Sequence, residues 1–149
     1  LVGMKDKLDG DSARGHALFG ANCVRCHGAD GAGAILGVPA LWGPKSFSIG
    51  ASMARRERAA SFIYHNMPQD SAGKLTPQQA FDIAAYVTLQ ARPDSPGKED
   101  DFPNGGAPSD QPYATKGHAA SNPPARLLPR ANPKGALVPA PRSVRKGAQ

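Results

Sequence analysis

The chain has 149 residues and a net charge of +6, enough for one domain, but its charge and its prolines are unevenly spread. Of 15 prolines, 11 lie at or after Pro93; through Ala91 nine Lys/Arg oppose seven Asp/Glu, and past Asp110 no acidic residue follows. No apolar run approaches the ~20 residues a helix needs to span a bilayer, which excludes a transmembrane segment in this chain. The boundaries expected are a lead-in over 1–10, a folded domain over 11–92, and an extended, Pro-rich basic tail over 93–149. The tail would pack on its own domain or on a partner. The sequence begins at Leu1 rather than Met and shows no charged and then apolar leader, so a mature or trimmed product is expected.

A first helix is expected from Asp11 or Ser12, either of which can cap it, to about Asn22. Gly15 and Phe19, four apart, share a face with Leu18 beside them. A glycine inside a helix costs about 1 kcal/mol against alanine, so Gly15 calls for a reason such as the close approach of another helix.

Cys23-Val24-Arg25-Cys26-His27 comes next. Two thiols three positions apart can reach the two vinyl groups of one porphyrin, and the following imidazole then sits on the iron's proximal face. A zinc half-site would need a second Cys/His pair, and there is no third cysteine. A thioredoxin-like pair would need βαβ patterning, which is absent. The expectation is one haem c, covalent through Cys23 and Cys26, with His27 on the iron.

Gly28 to Gly33 is too glycine-rich for regular structure, and lacks the strand before and helix after that a phosphate-binding loop requires. Gly37 to Pro44 is apolar and broken by two prolines, suited to lining one side of a flat hydrophobic ligand. A second helix is expected over about Ser52 to Asn66, with Ala59, Phe62 and Ile63 as its buried stripe and Arg55, Arg56, Glu57 and Arg58 on the wet side. Met67-Pro68 ends it, and Gln69 to Leu75 is a polar turn. Thr76-Pro77-Gln78-Gln79 carries the signals of a capped helix start. That last helix should run to about Ala91, where Arg92-Pro93 stops it.

This order from Asp11 to Arg92 resembles a class I cytochrome c. The resemblance implies an all-α class I cytochrome c fold around one covalent haem, followed by a long Pro/Gly-rich basic extension of little regular structure. Pro39 and Leu41, 12 and 14 positions after His27, match the family's proline and leucine. The proline carbonyl there accepts the imidazole Nδ1–H, and the first and last helices cross at a small residue against aromatics, matched by Gly15, Phe19 and Tyr86. The family's sixth ligand is a methionine before the last helix, which Met67 matches; Met53, Met4 and His65 are its rivals. A methionine ligand raises the potential and suits an electron carrier.

A closer similarity is to the electron-transfer haem domain of dihaem thiosulfate dehydrogenases and related sulfur-oxidising cytochromes. It is carried by Pro39 to Pro44, Ser46-Phe47, Gly50 to Met53, Phe62 to Pro68, Ala84 to Val87 leading to Arg92-Pro93, and Phe102-Pro103 to Pro112-Tyr113-Ala114-Thr115. That group's catalytic haem has its own C-x-x-C-H in a separate domain and an additional cysteine ligand; this chain has neither.

The function expected is therefore single-electron transfer by a monohaem cytochrome. It would serve as a free carrier or as a subunit of a larger respiratory, photosynthetic or sulfur-oxidising complex. No catalytic residue is assigned, and the protein is expected to be an electron-transfer protein and not itself an enzyme. Cys23, Cys26, His27 and Met67 would hold the cofactor, Pro39 would tune the histidine, and Leu41, Trp42, Phe47 and Tyr64 would pack the porphyrin. Arg55 or Arg56 would suit a propionate. Two other readings stand beside this one: the haem domain of a sulfur-compound oxidoreductase, and a docking subunit acting through the tail. The partners expected are redox proteins, donor and acceptor, and a membrane-associated complex contacted by the tail. Nucleic acid is not expected, because aromatics are not interleaved with the tail's basic residues. The place expected is the bacterial periplasm or the outer face of a membrane, where haem is attached.

Overall fold

The computed structural model describes residues 7–121, 123–124, 126–131 and 137–138. Met4 and the basic residues Lys134, Arg142, Arg145 and Lys146 lie outside them. The fold is all-α: α1 (Ser12–Asn22), α2 (Val24–His27), α3 (Arg56–Asn66) and α4 (Pro77–Leu89) carry the domain. The extension adds one pair of two-residue strands, β1 (Arg130–Ala131) and β2 (Leu137–Val138).

Asp11 caps α1, its carboxylate accepting the Arg14 N–H at 2.8 Å. Its own N–H donates to Asp82 on α4, also at 2.8 Å, so the start of α1 is tied to α4 before the helices cross. Gly15 lies at the crossing: a Cβ there would stand 1.9 Å from the Asp82 carbonyl oxygen. One turn on, buried Phe19 packs its ring 5.5 Å from that of Tyr86.

α4 is the central helix. Eight of its thirteen residues are buried, so it is enclosed on most sides by α1 and α3. Its start carries the full capping box: Thr76 accepts from Gln79 N–H, and the Gln79 side chain accepts from Thr76 N–H, with Pro77 in the first turn.

The middle helix departs from the expectation of one continuous helix from Ser52. A 3-10 turn, Ser52–Ala54, comes first, Arg55 is extended (ψ 132°), and α3 starts at Arg56. The cause lies in the extension. Asp110 accepts from Arg55 Nε (2.8 Å) and Nη2 (2.6 Å) with one oxygen, and from the Glu57 N–H (2.9 Å) with the other. A distant carboxylate thus caps α3 where no local side chain does.

Past α4 the chain lies along the domain. The Pro93 carbonyl accepts from Ile49 N–H, and Leu128 N–H donates to the Arg92 carbonyl. Buried Tyr113 joins Ile49 and Ala54, with Phe47 and Leu127 beside them. Its hydroxyl donates to Asp101 at 2.6 Å.

Candidate functional site

A cavity of about 450 Å³ opens between α1, α2, the 37–41 loop, α3 and α4. That volume lies within the ~300–1,000 Å³ usual for cofactor sites. Cys23, Cys26, His27, Pro39, Leu41, Phe47 and Met67 all line it. These residues are separated by up to 44 positions, and helix crossing is what gathers them. Cys23 ends α1, its N–H bonding the Phe19 carbonyl; Cys26 and His27 follow in α2. Met67 ends α3, its N–H bonding the Ile63 carbonyl, with a cis bond to Pro68.

The remaining wall is mostly apolar. Phe62 and Ile63, expected as a buried stripe, are half-buried because they face the hollow, with Phe19, Ile83 and Val87 opposite. Met53 lines it too, while also packing on the Ala59–Phe81 cluster. Arg25 and Asp70 are the charged residues of the lining, and they pair with each other. That pair joins α2 to the loop after Met67, and no local signal in the sequence announces a contact 45 positions apart.

Two residues expected to pack the porphyrin, Trp42 and Tyr64, do not line this cavity. Trp42 is not in the lining: its indole lies on Gly31, whose Cβ would fall 2.4 Å from the ring, and it packs 5.3 Å from Phe19 and 5.8 Å from Tyr86. Gly31 holds a positive φ of 67°, so glycine is required there twice over. Tyr64 is one residue past the wall-forming face of α3 and meets His65 edge-on at 4.9 Å. His65, the rival distal ligand, is likewise outside the lining and exposed. Arg55 is committed to Asp110, which removes it as a propionate partner. Arg56 lines a separate hollow of about 150 Å³ beside Asp110 and Ser121.

Burial pushes the Cys23 thiol up to about 11, and Cys26 beside it adds to that. Burial lowers the His27 pKa, against an upward push from the Pro39 carbonyl, and so favours the neutral imidazole that binds metals. The Pro39 carbonyl, the partner expected for Nδ1–H, is the backbone group that acts on the His27 ring, and Nδ1 is buried. Two thiols, a neutral imidazole, a thioether and apolar walls are a donor set that fits a haem c. Among the described residues no group of three His, Cys, Asp or Glu could hold a bare metal ion, and no helix is long and apolar enough to cross a membrane.

Comparison with known proteins agrees with this geometry. The family model described as "Cytochrome C oxidase, cbb3-type, subunit III" matches residues 10–87, a little over half the chain. A thiosulfate dehydrogenase of Psychrobacter arcticus is 44% identical over 115 residues, 74% of this chain and 35% of that protein. A cytochrome c-553-like protein of Synechocystis is 36% identical over 85 residues, 54% of this chain and 70% of that protein. Among solved structures, a thiosulfate dehydrogenase from Marichromatium purpuratum superposes with a TM-score of 0.63 at 35% identity, over 75% of this chain and 26% of that one. The chain thus spans about a third of the curated dehydrogenase it matches. From its helices, its cavity and these matches, the chain belongs to the family of cytochrome c oxidase, cbb3-type, subunit III: it is a cytochrome c domain, related to the haem portions of thiosulfate dehydrogenases, and such a domain implies covalently bound haem c.

Proposed function

We propose that this chain is a monohaem electron-transfer module, in which Cys23 and Cys26 would anchor the haem covalently and His27 and Met67 would hold its iron. The observation that carries the reading is the convergence of both thiols, His27 and Met67 on one apolar cavity. Bound there, haem supplies the one-electron chemistry of its iron. The chain's own residues do the rest. The thiols fix the position of the group, His27 presents a neutral imidazole, and Met67 offers a thioether that favours the reduced state. Phe62, Ile63, Ile83 and Val87 exclude water, which strengthens every nearby charge. Met53 is read as wall, since it already packs on the Ala59–Phe81 cluster. The module would work outside the bacterial cytoplasm between a donor and an acceptor protein, free or within a larger complex.

Mass spectrometry of the unfolded protein, made in a host that matures c-type cytochromes, tests the attachment. The reading expects one haem added per chain, and none retained by a Cys23→Ser, Cys26→Ser double variant. Haem that leaves the wild-type chain on acid extraction would contradict it.

A second reading is supported by the relatives: a haem domain that acts on a thiosulfate-type sulfur compound within a longer enzyme. It needs a displaceable iron ligand. Turnover of thiosulfate by this chain alone with an artificial electron acceptor would put it first.

A further inference from the structure

Arg92 has no solvent exposure at all, the largest side chain so enclosed in the described structure. Sequence reading gives it only the role of a helix stop. Its Nη2 donates to the Val87 carbonyl at 2.8 Å and its Nη1 to the Leu41 carbonyl at 3.2 Å. Its guanidinium carbon stands 4.4 Å from the centre of the Phe47 ring. Val87, Leu41 and Phe47 all line the haem cavity, so the charge sits one residue behind its wall on three sides. The extension seals it: Arg92 N–H donates to the Arg126 carbonyl, Leu128 N–H to the Arg92 carbonyl, and Leu127 packs on the same Ile49–Ala54–Tyr113 cluster as Phe47.

Burying a cation is unfavourable unless something compensates. Here the compensation is two carbonyls, one in the last turn of α4 where helix dipoles favour a cation, and an aromatic face. Burial lowers the guanidinium pKa only to about 10, so it stays charged at neutral pH. A charge screened from water by protein acts over a longer distance than one on the surface.

We propose that Arg92 is a redox-tuning residue: a permanently buried positive charge behind Leu41, Phe47 and Val87 that raises the midpoint potential of the haem. This rests on the haem reading above. Reduction removes one positive charge from the iron, so a nearby fixed cation favours the reduced form. Residues 126–128 belong to the device, because they keep water from screening the charge. A purely structural Arg92, one that only caps α4, would leave the potential unmoved.

The test is a spectroelectrochemical titration of the haem-loaded full chain with Arg92→Gln, which keeps an N–H donor without charge, and Arg92→Lys, which keeps the charge. The sulfur-to-iron absorption band is followed in the same samples. The proposal expects a lower midpoint in the Gln variant, most of it restored in the Lys variant, and the band present in both. An unchanged midpoint in Arg92→Gln with the band intact overturns it. If Arg92→Gln loses the band or the fold, Leu127→Ala decides, since it retains Arg92 and thins the seal. A lowered midpoint there supports the proposal and an unchanged one overturns it. A chain that carries no haem shows no Soret band, so failure of the underlying reading is visible separately.

Discussion

Asp82 shows what one buried carboxylate can organise. Burial alone would raise its pKa, but hydrogen bonds from Arg14, from the Asp11 N–H and from Gln78 hold it below the ordinary 3.8. A depressed folded pKa means stability that is fully present above the ordinary value and is lost as pH falls through the folded one. The acid limb of unfolding should therefore shift in Asp82→Asn. At neutral pH that variant should lose about 1–3 kcal/mol, read from urea melts, chiefly from partners left unsatisfied. Arg14 is more than half exposed, so its ion pair accounts for the smaller part. Tyr113 has the opposite sign. Burial, then its bond to Asp101, pushes the phenol up to about 12. Its contribution is present below the unfolded value near 10 and fades as pH rises toward 12. Urea midpoints compared between about pH 9 and about pH 11 should fall further in wild type than in Tyr113→Phe.

At the scale of elements, the α1–α4 crossing is the tightest joint. A valine at position 15 would drive its Cβ into the Asp82 carbonyl, so Gly15→Val should cost at least the ~1–3 kcal/mol of an overpacked core, measured as a fall in Tm. This joint was legible in the sequence, because a glycine set four residues from Phe19 inside a helical pattern needs a neighbour. The starts of α1 and α4 were legible for a similar reason: Asp11, Thr76 and Pro77 act on backbone groups within three residues. The start of α3 was not. Its cap is Asp110, 55 positions after Arg55, and a side chain that arrives from another part of the fold leaves no local trace. Asp110→Ala should destabilise by about 0.5–2 kcal/mol in urea melts, the usual cost of a lost cap, although it lies outside the helical domain.

At the scale of the whole molecule, the helices and the 37–41 loop wall the haem cavity, and the chain after α4 supplies Tyr113 and Leu127 to the cluster on which the lining residue Phe47 packs. The cavity's chemical lining could be read from C-x-x-C-H, Pro39, Leu41 and Met67, since thiol, imidazole and thioether have few other uses at such spacings. Its limits could not. Trp42 and Tyr64 look like porphyrin contacts in sequence, and only the three-dimensional path sets one against Gly31 and the other beside His65, one residue past the wall-forming face of α3. The central proposal is that His27 and Met67 would both hold the iron of one haem, which would favour electron transfer as the function. The optical spectrum of the oxidised protein, with carbon monoxide then added to the reduced form, tests it most directly. The account predicts a sulfur-to-iron charge-transfer band, lost in Met67→Ala and kept in Met53→Leu, with no carbon monoxide bound by wild type. Absence of that band together with ready carbon monoxide binding would contradict it.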